Sequence, residues 1–210
     1  MSAKAKVAVL LSGRGSNFSA LLSAAAQPDY PAEIVTCLSD VPTAPGLDKA
    51  RAAGVPATAI ARDAHQSRGS FETALHRALS AHAPDVICLA GFMRILSADF
   101  VARWEGRILN IHPSLLPVFR GLNTHARALK AGVKIHGATV HTVTAELDDG
   151  PIIAQAAVQV LPGDTEETLA ARVLDVEHAL YPAALARFLR VPANAPHTQE
   201  TLFSPPLSQS

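Results

Sequence analysis

Short apolar runs alternate with longer amphipathic stretches along the first half of the chain. The apolar runs are KVAVLLS, AEIVTCLS, VPATAIA and DVICLAG, and between them lie SNFSALLSAAA, APGLDKARAAG and SRGSFETALHRALSAHAP. The runs are apolar at successive positions, which is typical of central strands that helices cover on both sides. The pattern therefore predicts an α/β fold with a doubly wound, mostly parallel sheet and helices on both faces.

The pattern changes in the second half. SADFVARWEG predicts a short helix, RILNIH a strand, and NTHARALKAG a helix that ends at a glycine. GATVHTVTAE alternates with period two and PIIAQAAVQV follows it, which predicts an antiparallel strand near the C-terminal half. A last helix runs from GDTEETL to about residue 189. We expect residues 1–190 to form a single domain and residues 191–210, with four prolines, to form a flexible tail.

Composition narrows the range of partners. Apolar residues make up 49% of the chain and charged residues 17%, the balance of a compact soluble protein. Lys plus Arg and Asp plus Glu are 18 each, which disfavours nucleic acid and anionic membranes. No apolar run is long enough to span a membrane. Cys37 and Cys88 lie in apolar segments without metal-site spacing, so we expect buried, reduced thiols and a cytoplasmic location. Monomer and homodimer both stay open.

The glycine-rich segment SGRGSN, residues 12–17, follows the first strand and opens the first helix. Backbone NH groups at such a turn bind anions, most often phosphate. The third glycine of a dinucleotide motif is replaced by Phe18, and Asp40, the candidate acid at the end of the second strand, is equally compatible with a turn. A single phosphate is therefore favoured over NAD, and a tight strand-to-helix connection without a ligand is the structural alternative.

Asn110 and His112 lie on the same side of a strand end, because side chains two apart on a strand point the same way. Strand ends line the ligand crevice of an open parallel sheet. A carboxylate from the loop LDDGP, such as Asp148, would favour the protonated form of His112 and make it a general acid or an electrostatic stabiliser. His136 and His141 are five apart on a predicted strand and should face opposite ways, so we expect no metal site.

Six segments together resemble the phosphoribosylglycinamide formyltransferase family over about residues 6–189. They are SGRGSN, AGFMRIL at 90–96, LNIHPSLLP at 109–117, FRGLNTH at 119–125, HGATVHTVTAELDDGPII at 136–153 and EHALYP at 177–182. The resemblance implies that a formyl group moves from 10-formyltetrahydrofolate, the co-substrate, to the amine of glycinamide ribonucleotide in purine biosynthesis. It implies small-molecule substrates and no metal.

The resemblance also implies roles for individual positions. The catalytic residues would be Asn110, His112 and Asp148. The ribonucleotide would be bound by Gly15, Ser16, Asn17 and Glu177, the first three at its phosphate. Folate would be bound by Arg68, Met93, Arg94, Ile95, Leu96, Asn110, Thr144, Ala145, Glu146, Leu147 and Asp148. Arg14 departs from the asparagine that is common between the two glycines.

Related functions remain as alternatives. Formyltetrahydrofolate deformylase and methionyl-tRNA formyltransferase share the catalytic core, but the first carries an N-terminal regulatory domain and the second a further C-terminal domain with a basic surface. The length and neutral charge of this chain favour neither. A non-catalytic folate-binding module would have no need for Asn110, His112 and Asp148 together. An NAD-linked oxidoreductase would need the missing third glycine.

Overall fold

The computed structural model describes residues 3–190, and its strands lie in one seven-stranded sheet. The strands are β1 (Ala5–Leu11), β2 (Ala32–Ser39), β3 (Ala57–Ala59), β4 (Val86–Leu89), β5 (Ile108–His112), β6 (Ile135–Thr142) and β7 (Ile152–Gln159). Their order across the sheet is β3-β2-β1-β4-β5-β6-β7. The pairs from β3 to β5 are parallel, and only β6 runs against its two neighbours. The predicted mostly parallel α/β fold is confirmed.

Helices cover both faces of the sheet. They are α1 (Ser16–Ala25), α2 (Pro45–Ala52), α3 (Arg68–Ser80), α4 (Ala98–Arg103), α5 (Thr124–Ala131) and α6 (Glu166–Arg190), with a short 3-10 turn at Arg62–Ala64. The two faces are visible in β1, where Val7 and Val9 pack in one core with α1, α2 and α6, while Ala8 and Leu10 pack in a second core with α3 and α4. This two-sided burial explains why the strands are apolar at successive positions.

The sheet contains the crevice where a ligand is expected. β2 lies beside β1 on one side, and β4 lies beside β1 on the other side. The connections after β1 and β4 therefore run in opposite directions across the sheet. Ligands bind at such a point, beyond the carboxyl ends of the strands. Three segments meet there: the turn 12–17 after β1, residues 90–97 after β4, and His112 at the end of β5. The NH of Ser12 donates to the carbonyl oxygen of Gly91 at 3.0 Å, which ties the first two segments together.

The antiparallel strand predicted from the period-two pattern is confirmed as β6, but the alternation in residue type does not correspond to alternating burial. Seven of its eight residues are buried. Helix α6 packs on β6 and β7 from one side, and the loop after β5 covers the other. Thr139 of β6 shows this cover, because its hydroxyl donates to the carbonyl oxygen of Ser114 at 2.7 Å and accepts from the NH of Leu116 at 3.0 Å. The pattern of residue types along β6 carries no information about the loop after β5, which covers polar residues such as Thr139.

Several remaining predictions fall on single features. Helix α5 ends at Gly132 in the left-handed conformation, as predicted. Cys37 and Cys88 are buried and unpaired, also as predicted. Within residues 3–190, no helix is both long enough and apolar enough to cross a bilayer. The segment predicted to be a flexible tail, residues 191–210, lies outside the described residues.

Candidate active site

His112 and Asp148 meet at the carboxyl end of β5. Nδ1 of His112 lies 3.3 Å from Oδ2 of Asp148, and the side chains are only 7% and 9% exposed. Nε2 of the same imidazole lies 3.0 Å from the carbonyl oxygen of Phe119. Both ring nitrogens therefore face oxygens that only accept hydrogen bonds, an arrangement that the doubly protonated ring satisfies on both sides.

Asn110 lies two residues earlier on the same side of β5 and faces His141 across the sheet. Its Nδ2 is 3.2 Å from Nε2 of His141, and Nδ1 of His141 is 2.9 Å from the carbonyl oxygen of Thr142. The carbonyl can only accept, so Nδ1 carries the hydrogen and Nε2 accepts from Asn110. Burial lowers the pKa of His141, which favours this neutral form. The carboxamide is thereby oriented with one N–H left for another acceptor.

Sequence reasoning missed His141 as a member of this site. Its Nε2 lies 3.7 Å from Oδ1 of Asp148 as well as 3.2 Å from Asn110. The signal was present in the strand pairing, since Asn110 and His141 are direct partners across β5 and β6. Reading it required the register of the two strands.

The loop that carries Asp148 is held by backbone constraints. Asp148 has φ 50°, in the left-handed region that aspartate tolerates better than most residues. Oδ2 of Asp148 accepts from the NH of Gly121 at 2.9 Å, and Arg120 forms an ion pair with Asp149. A Cβ on Gly150 would lie 1.8 Å from the carbonyl oxygen of Thr142, so only glycine fits there. The carboxylate position is thus fixed from both sides of the loop.

The loop after His112 is held by hydrogen bonds from β6 and β7. Gln155 of β7 donates through Nε2 to the carbonyl oxygen of Leu116 at 2.9 Å and to the hydroxyl of Thr139 at 2.9 Å. The peptide bond between Leu116 and Pro117 is cis. Side chains from β6 and β7 thus fix the conformation of the loop at Leu116. The same loop brings the carbonyl oxygen of Phe119 to the imidazole of His112.

Residues 12–17, which were predicted to bind phosphate, form a tight turn between β1 and α1. Gly15 has φ 69°, and a Cβ there would lie 2.8 Å from Cα of Gly46. Helix α1 begins at Ser16 without a side-chain cap, and Arg14 beside it is exposed. The first NH groups of a helix are available to an anion when no side chain caps them.

Asn17 connects this turn to α6. Its Nδ2 donates to Oε2 of Glu177 at 2.7 Å, and both side chains are buried. Burial raises the pKa of Glu177, while the hydrogen bond from Asn17 opposes that shift. The Oδ1 atom of Asn17 is buried and has no partner among the described residues. Two of the four residues that were predicted to bind the ribonucleotide, Asn17 and Glu177, are therefore hydrogen-bonded to each other.

The predicted folate residues after β4 surround a hollow of about 320 Å³. It is lined by Arg62, Arg68, Phe71, Glu72, Met93, Arg94 and Ile95, and we call it the arginine-lined hollow. Met93 and Ile95 are 69% and 65% exposed, a large exposure for apolar side chains. Leu96 differs, because it is buried and packs in the core with Phe92.

The other predicted folate residues, Thr144 through Leu147, form an exposed loop that leads into Asp148. The hydroxyl of Thr144 donates to the carbonyl oxygen of Glu146 at 3.3 Å. Leu147 is half exposed and lies beside Gly121. The structure thus brings the loop to His112 through Asp148 and leaves the side chains of residues 144–147 open to solvent.

Side chains that could bind a metal do not cluster in the described part of the chain, residues 3–190. Among residues 3–190, no cluster of three or more His, Cys, Asp or Glu side chains has the geometry to hold an ion. His136 and His141 both lie in β6, where His136 pairs edge-on with His125, at a ring separation of 5.3 Å, and His141 belongs to the site.

Comparisons with known proteins identify the family of this chain. The formyl transferase family model matches residues 5–185. The chain is 45% identical to phosphoribosylglycinamide formyltransferase from Escherichia coli, with 87% of this chain and 86% of that protein covered. It is 50% identical to the trifunctional purine biosynthetic protein adenosine-3 from Bos taurus, and there it spans only 18% of the relative's length.

Solved structures resemble the whole described fold. Phosphoribosylglycinamide formyltransferase from Brucella melitensis superimposes with a TM-score of 0.86 at 56% identity, covering 90% of this chain and 97% of that one. Glycinamide ribonucleotide transformylase 1 from Symbiobacterium toebii gives a TM-score of 0.86 at 46% identity, with coverage of 89% and 88%.

Proposed function

This chain belongs to the formyl transferase family and, within it, to the phosphoribosylglycinamide formyltransferases, and we propose that it transfers a formyl group from 10-formyltetrahydrofolate to the amine of glycinamide ribonucleotide. The observation that carries the proposal is the meeting of His112 and Asp148 at 3.3 Å beside Asn110. These groups come from β5 and from a loop 36 residues later, and they converge at the crevice of the sheet.

His112 supplies positive charge for the reaction. When the ribonucleotide amine attacks the formyl carbon, the carbonyl oxygen becomes negative and needs hydrogen-bond donors. Both ring nitrogens of His112 already face protein oxygens, those of Asp148 and Phe119, so the ring acts through its charge and not through a free N–H. The remaining N–H of Asn110 supplies the hydrogen-bond donor. Because a protonated imidazole provides the charge, the steps require no metal.

Asp148 has two roles in this proposal. Its carboxylate stabilises the protonated His112, and it is the base closest to that ring among the groups described above. A carbon–nitrogen bond forms to the amine while the bond to the folate nitrogen breaks, and one proton passes from the new ammonium to the departing nitrogen. A water held by Asp148 relays that proton.

The substrates occupy the two sides of the crevice. The phosphate of the ribonucleotide binds the NH groups of Gly15, Ser16 and Asn17, and Glu177 orients the amine or the ribose. The supporting features are the uncapped start of α1 and the buried bond between Asn17 and Glu177.

Folate binds along the arginine-lined hollow and under the exposed loop before Asp148. The contacting residues are Arg68, Met93, Arg94, Ile95, Leu96, Asn110 and Thr144 through Asp148. Ile95 is exposed and available to a flat pterin face, whereas the buried Leu96 presents its backbone. The arginines provide positive charge for the carboxylates of the folate tail.

The proposal includes the setting in which the protein works. Residues 1–190 act as one domain, supported by the single sheet that the described strands form. The protein acts in the cytoplasm as a monomer or homodimer on small-molecule substrates. Purine biosynthesis is the pathway in which its relatives are named.

A single assay tests the proposed reaction. Purified protein is given 10-formyltetrahydrofolate with glycinamide ribonucleotide, with methionyl-tRNA, or without an acceptor, and tetrahydrofolate release is followed. We expect release only with the ribonucleotide. Release without an acceptor would identify a deformylase, and formylation of methionyl-tRNA would identify the related tRNA enzyme. Absence of release in all three arms refutes the proposal.

A further inference from the structure

Asp40 lies just after β2, and its side chain is only 1% exposed. Its two oxygens accept hydrogen bonds from different segments. Oδ1 accepts from the hydroxyl of Ser12 at 2.5 Å, and Oδ2 accepts from Nε of Arg94 at 2.6 Å. Ser12 follows β1 and Arg94 follows β4, so one carboxylate joins the ends of three adjacent strands.

Ser12 makes the connection tighter. Its hydroxyl donates to Asp40 and also accepts from the NH of Met93 at 2.8 Å. Its own NH donates to the carbonyl oxygen of Gly91 at 3.0 Å. The segment 91–94 is therefore held at three points, two of them at Ser12 after β1 and one at Asp40 after β2.

The Asp40–Arg94 pair is asymmetric in exposure. The carboxylate is buried, whereas the arginine side chain is 45% exposed and lines the arginine-lined hollow. A buried carboxylate that has lost a partner is costly, so Asp40 holds the Nε edge of Arg94 in place. Within residues 3–190 the two terminal nitrogens of Arg94 make no hydrogen bond, which leaves them for a ligand.

The hydrogen bonds of the Asp40 carboxylate argue against a role in ribose binding. In dinucleotide-binding proteins an acid at the end of the second strand binds the ribose hydroxyl. Here both oxygens already accept from protein donors, Ser12 and Arg94. The sequence left this residue between a ribose-binding acid and a turn residue. Asp40 lies in the bend that opens the turn after β2, and its buried carboxylate is hydrogen-bonded within the protein.

We propose that Asp40 is a positioning residue for the folate co-substrate, acting through Arg94. Asp40 orients the guanidinium of Arg94 toward the hollow. It also keeps residues 91–94, before folate binds, in the conformation that binds folate. The inference rests on the proposed function, which supplies the folate. Ordering a loop on binding costs affinity, so a preformed segment lowers the KM for folate and leaves the chemical step unchanged.

The variant Asp40→Asn tests the proposal without changing side-chain size. Its amide keeps one acceptor but presents NH2 to the other donor and loses the charge. We expect the KM for 10-formyltetrahydrofolate to rise about tenfold, with kcat and the KM for glycinamide ribonucleotide within about twofold of wild type. Asp40→Ala should shift the same constant in the same direction by more.

A matched control is present on α2. Asp48 pairs with Arg51 at 2.7 Å, but its side chain is 80% exposed and lies outside the network. Asp48→Asn should leave both KM values unchanged. Equal increases in the two KM values of Asp40→Asn, or a lowered melting temperature with neither KM changed, would assign Asp40 to the fold alone and overturn the proposal.

A double-mutant cycle tests the route through Arg94. In the Arg94→Ala background, Asp40→Asn should add less than about twofold to the folate KM, because the group that it positions is gone. An undiminished tenfold increase in that background contradicts the proposed route.

Direct binding separates this inference from the proposed function. Equilibrium titration with tetrahydrofolate requires no turnover, and we expect its Kd to rise about tenfold in Asp40→Asn. If the wild type binds tetrahydrofolate but transfers no formyl group, the proposed function fails and the Kd comparison still decides the role of Asp40. A wild type that does not bind tetrahydrofolate overturns both.

Discussion

Two regions at the same edge of the sheet are built in opposite ways. In the proposed catalytic corner, which comprises Asn110, His112, His141 and Asp148, each polar side chain meets another polar group, and the His112 and Asp148 side chains are less than a tenth exposed. In the arginine-lined hollow, apolar side chains such as Ile95 face solvent beside half-exposed arginines.

The difference separates reaction from binding. Groups that stabilise developing charge are most effective when they are already oriented and shielded from water. A surface that binds a large flat ligand instead needs exposed apolar area and a few charged groups at its edge. Changes in the catalytic corner should therefore lower kcat, and changes in the hollow should raise the KM for folate.

The largest effect is expected for Asp148→Asn. Asparagine fits the same space and tolerates the backbone φ of 50°, but it loses the charge beside His112. We expect turnover to fall by on the order of a hundredfold or more, with the affinity for the ribonucleotide and the melting temperature nearly unchanged. Steady-state kinetics and thermal unfolding of the same preparation measure both.

The neighbouring Asp149 provides the control. It pairs with Arg120, and both side chains are 43% exposed, so Asp149→Asn should change turnover by less than about threefold. Similar losses in the two variants would mean that the loop as a whole, and not the carboxylate of Asp148, supports the reaction.

Gly150→Ala tests whether the corner depends on its backbone. The added Cβ would lie 1.8 Å from the carbonyl oxygen of Thr142, so the loop must move. We expect a loss of about 2–3 kcal/mol in the free energy of unfolding, measured with urea, together with reduced turnover. Gly163→Ala isolates the effect of backbone conformation, because Gly163 has φ 83° in open space. It should cost about 1 kcal/mol and leave turnover intact.

Acid should destabilise the side of the molecule that carries the corner. His136 lies at the start of β6, and burial is the main cause that lowers its pKa to about 4. The unfolded chain takes up this proton near pH 6.5. Stability contributed by the neutral ring is therefore complete above pH 6.5 and is lost as the pH falls toward 4. Between pH 7 and pH 5 the loss should be about 1–2 kcal/mol.

Urea unfolding at the two pH values measures this loss. The variant His136→Gln removes the titrating ring, so its stability should depend less on pH over the same range. His125, whose pKa burial also lowers, contributes in the same direction and remains in the variant. A pH dependence identical to that of the wild type would show that other groups account for the loss.

The sequence predicted what depends on local pattern. The apolar runs specified the strands because residues such as Val9 and Leu10 are buried on opposite faces. The strand end at His112 and the glycine turn at 12–17 indicated where a ligand is expected, since the fold class fixes which strand ends line the crevice. Both follow from short segments that can be interpreted alone.

The rest depends on which distant residues meet. His141 and Asn110 are 31 residues apart, and only the register of β5 and β6 makes them partners. Asp40 and Arg94 are 54 residues apart, and they follow β2 and β4, which are not neighbours because β1 lies between them. A single sequence contains no measure of such distances, so an aspartate in a turn-like segment could not be recognised as a buried partner.

The smallest effect, and the sharpest test of the contrast, is expected for Arg68→Gln. Nε of Arg68 donates to Oε1 of Glu72 at 3.1 Å, and its guanidinium also donates to the carbonyl oxygen of Ile95 at 2.6 Å, so it both lines the hollow and fixes its edge. We expect the KM for folate to rise about fivefold while kcat stays within about twofold, because no reacting atom is touched. Arg77→Gln is the matched change, since Arg77 is exposed on the same helix and outside the hollow. A fall in kcat for Arg68→Gln comparable to that for Asp148→Asn would contradict the proposed division between the two regions.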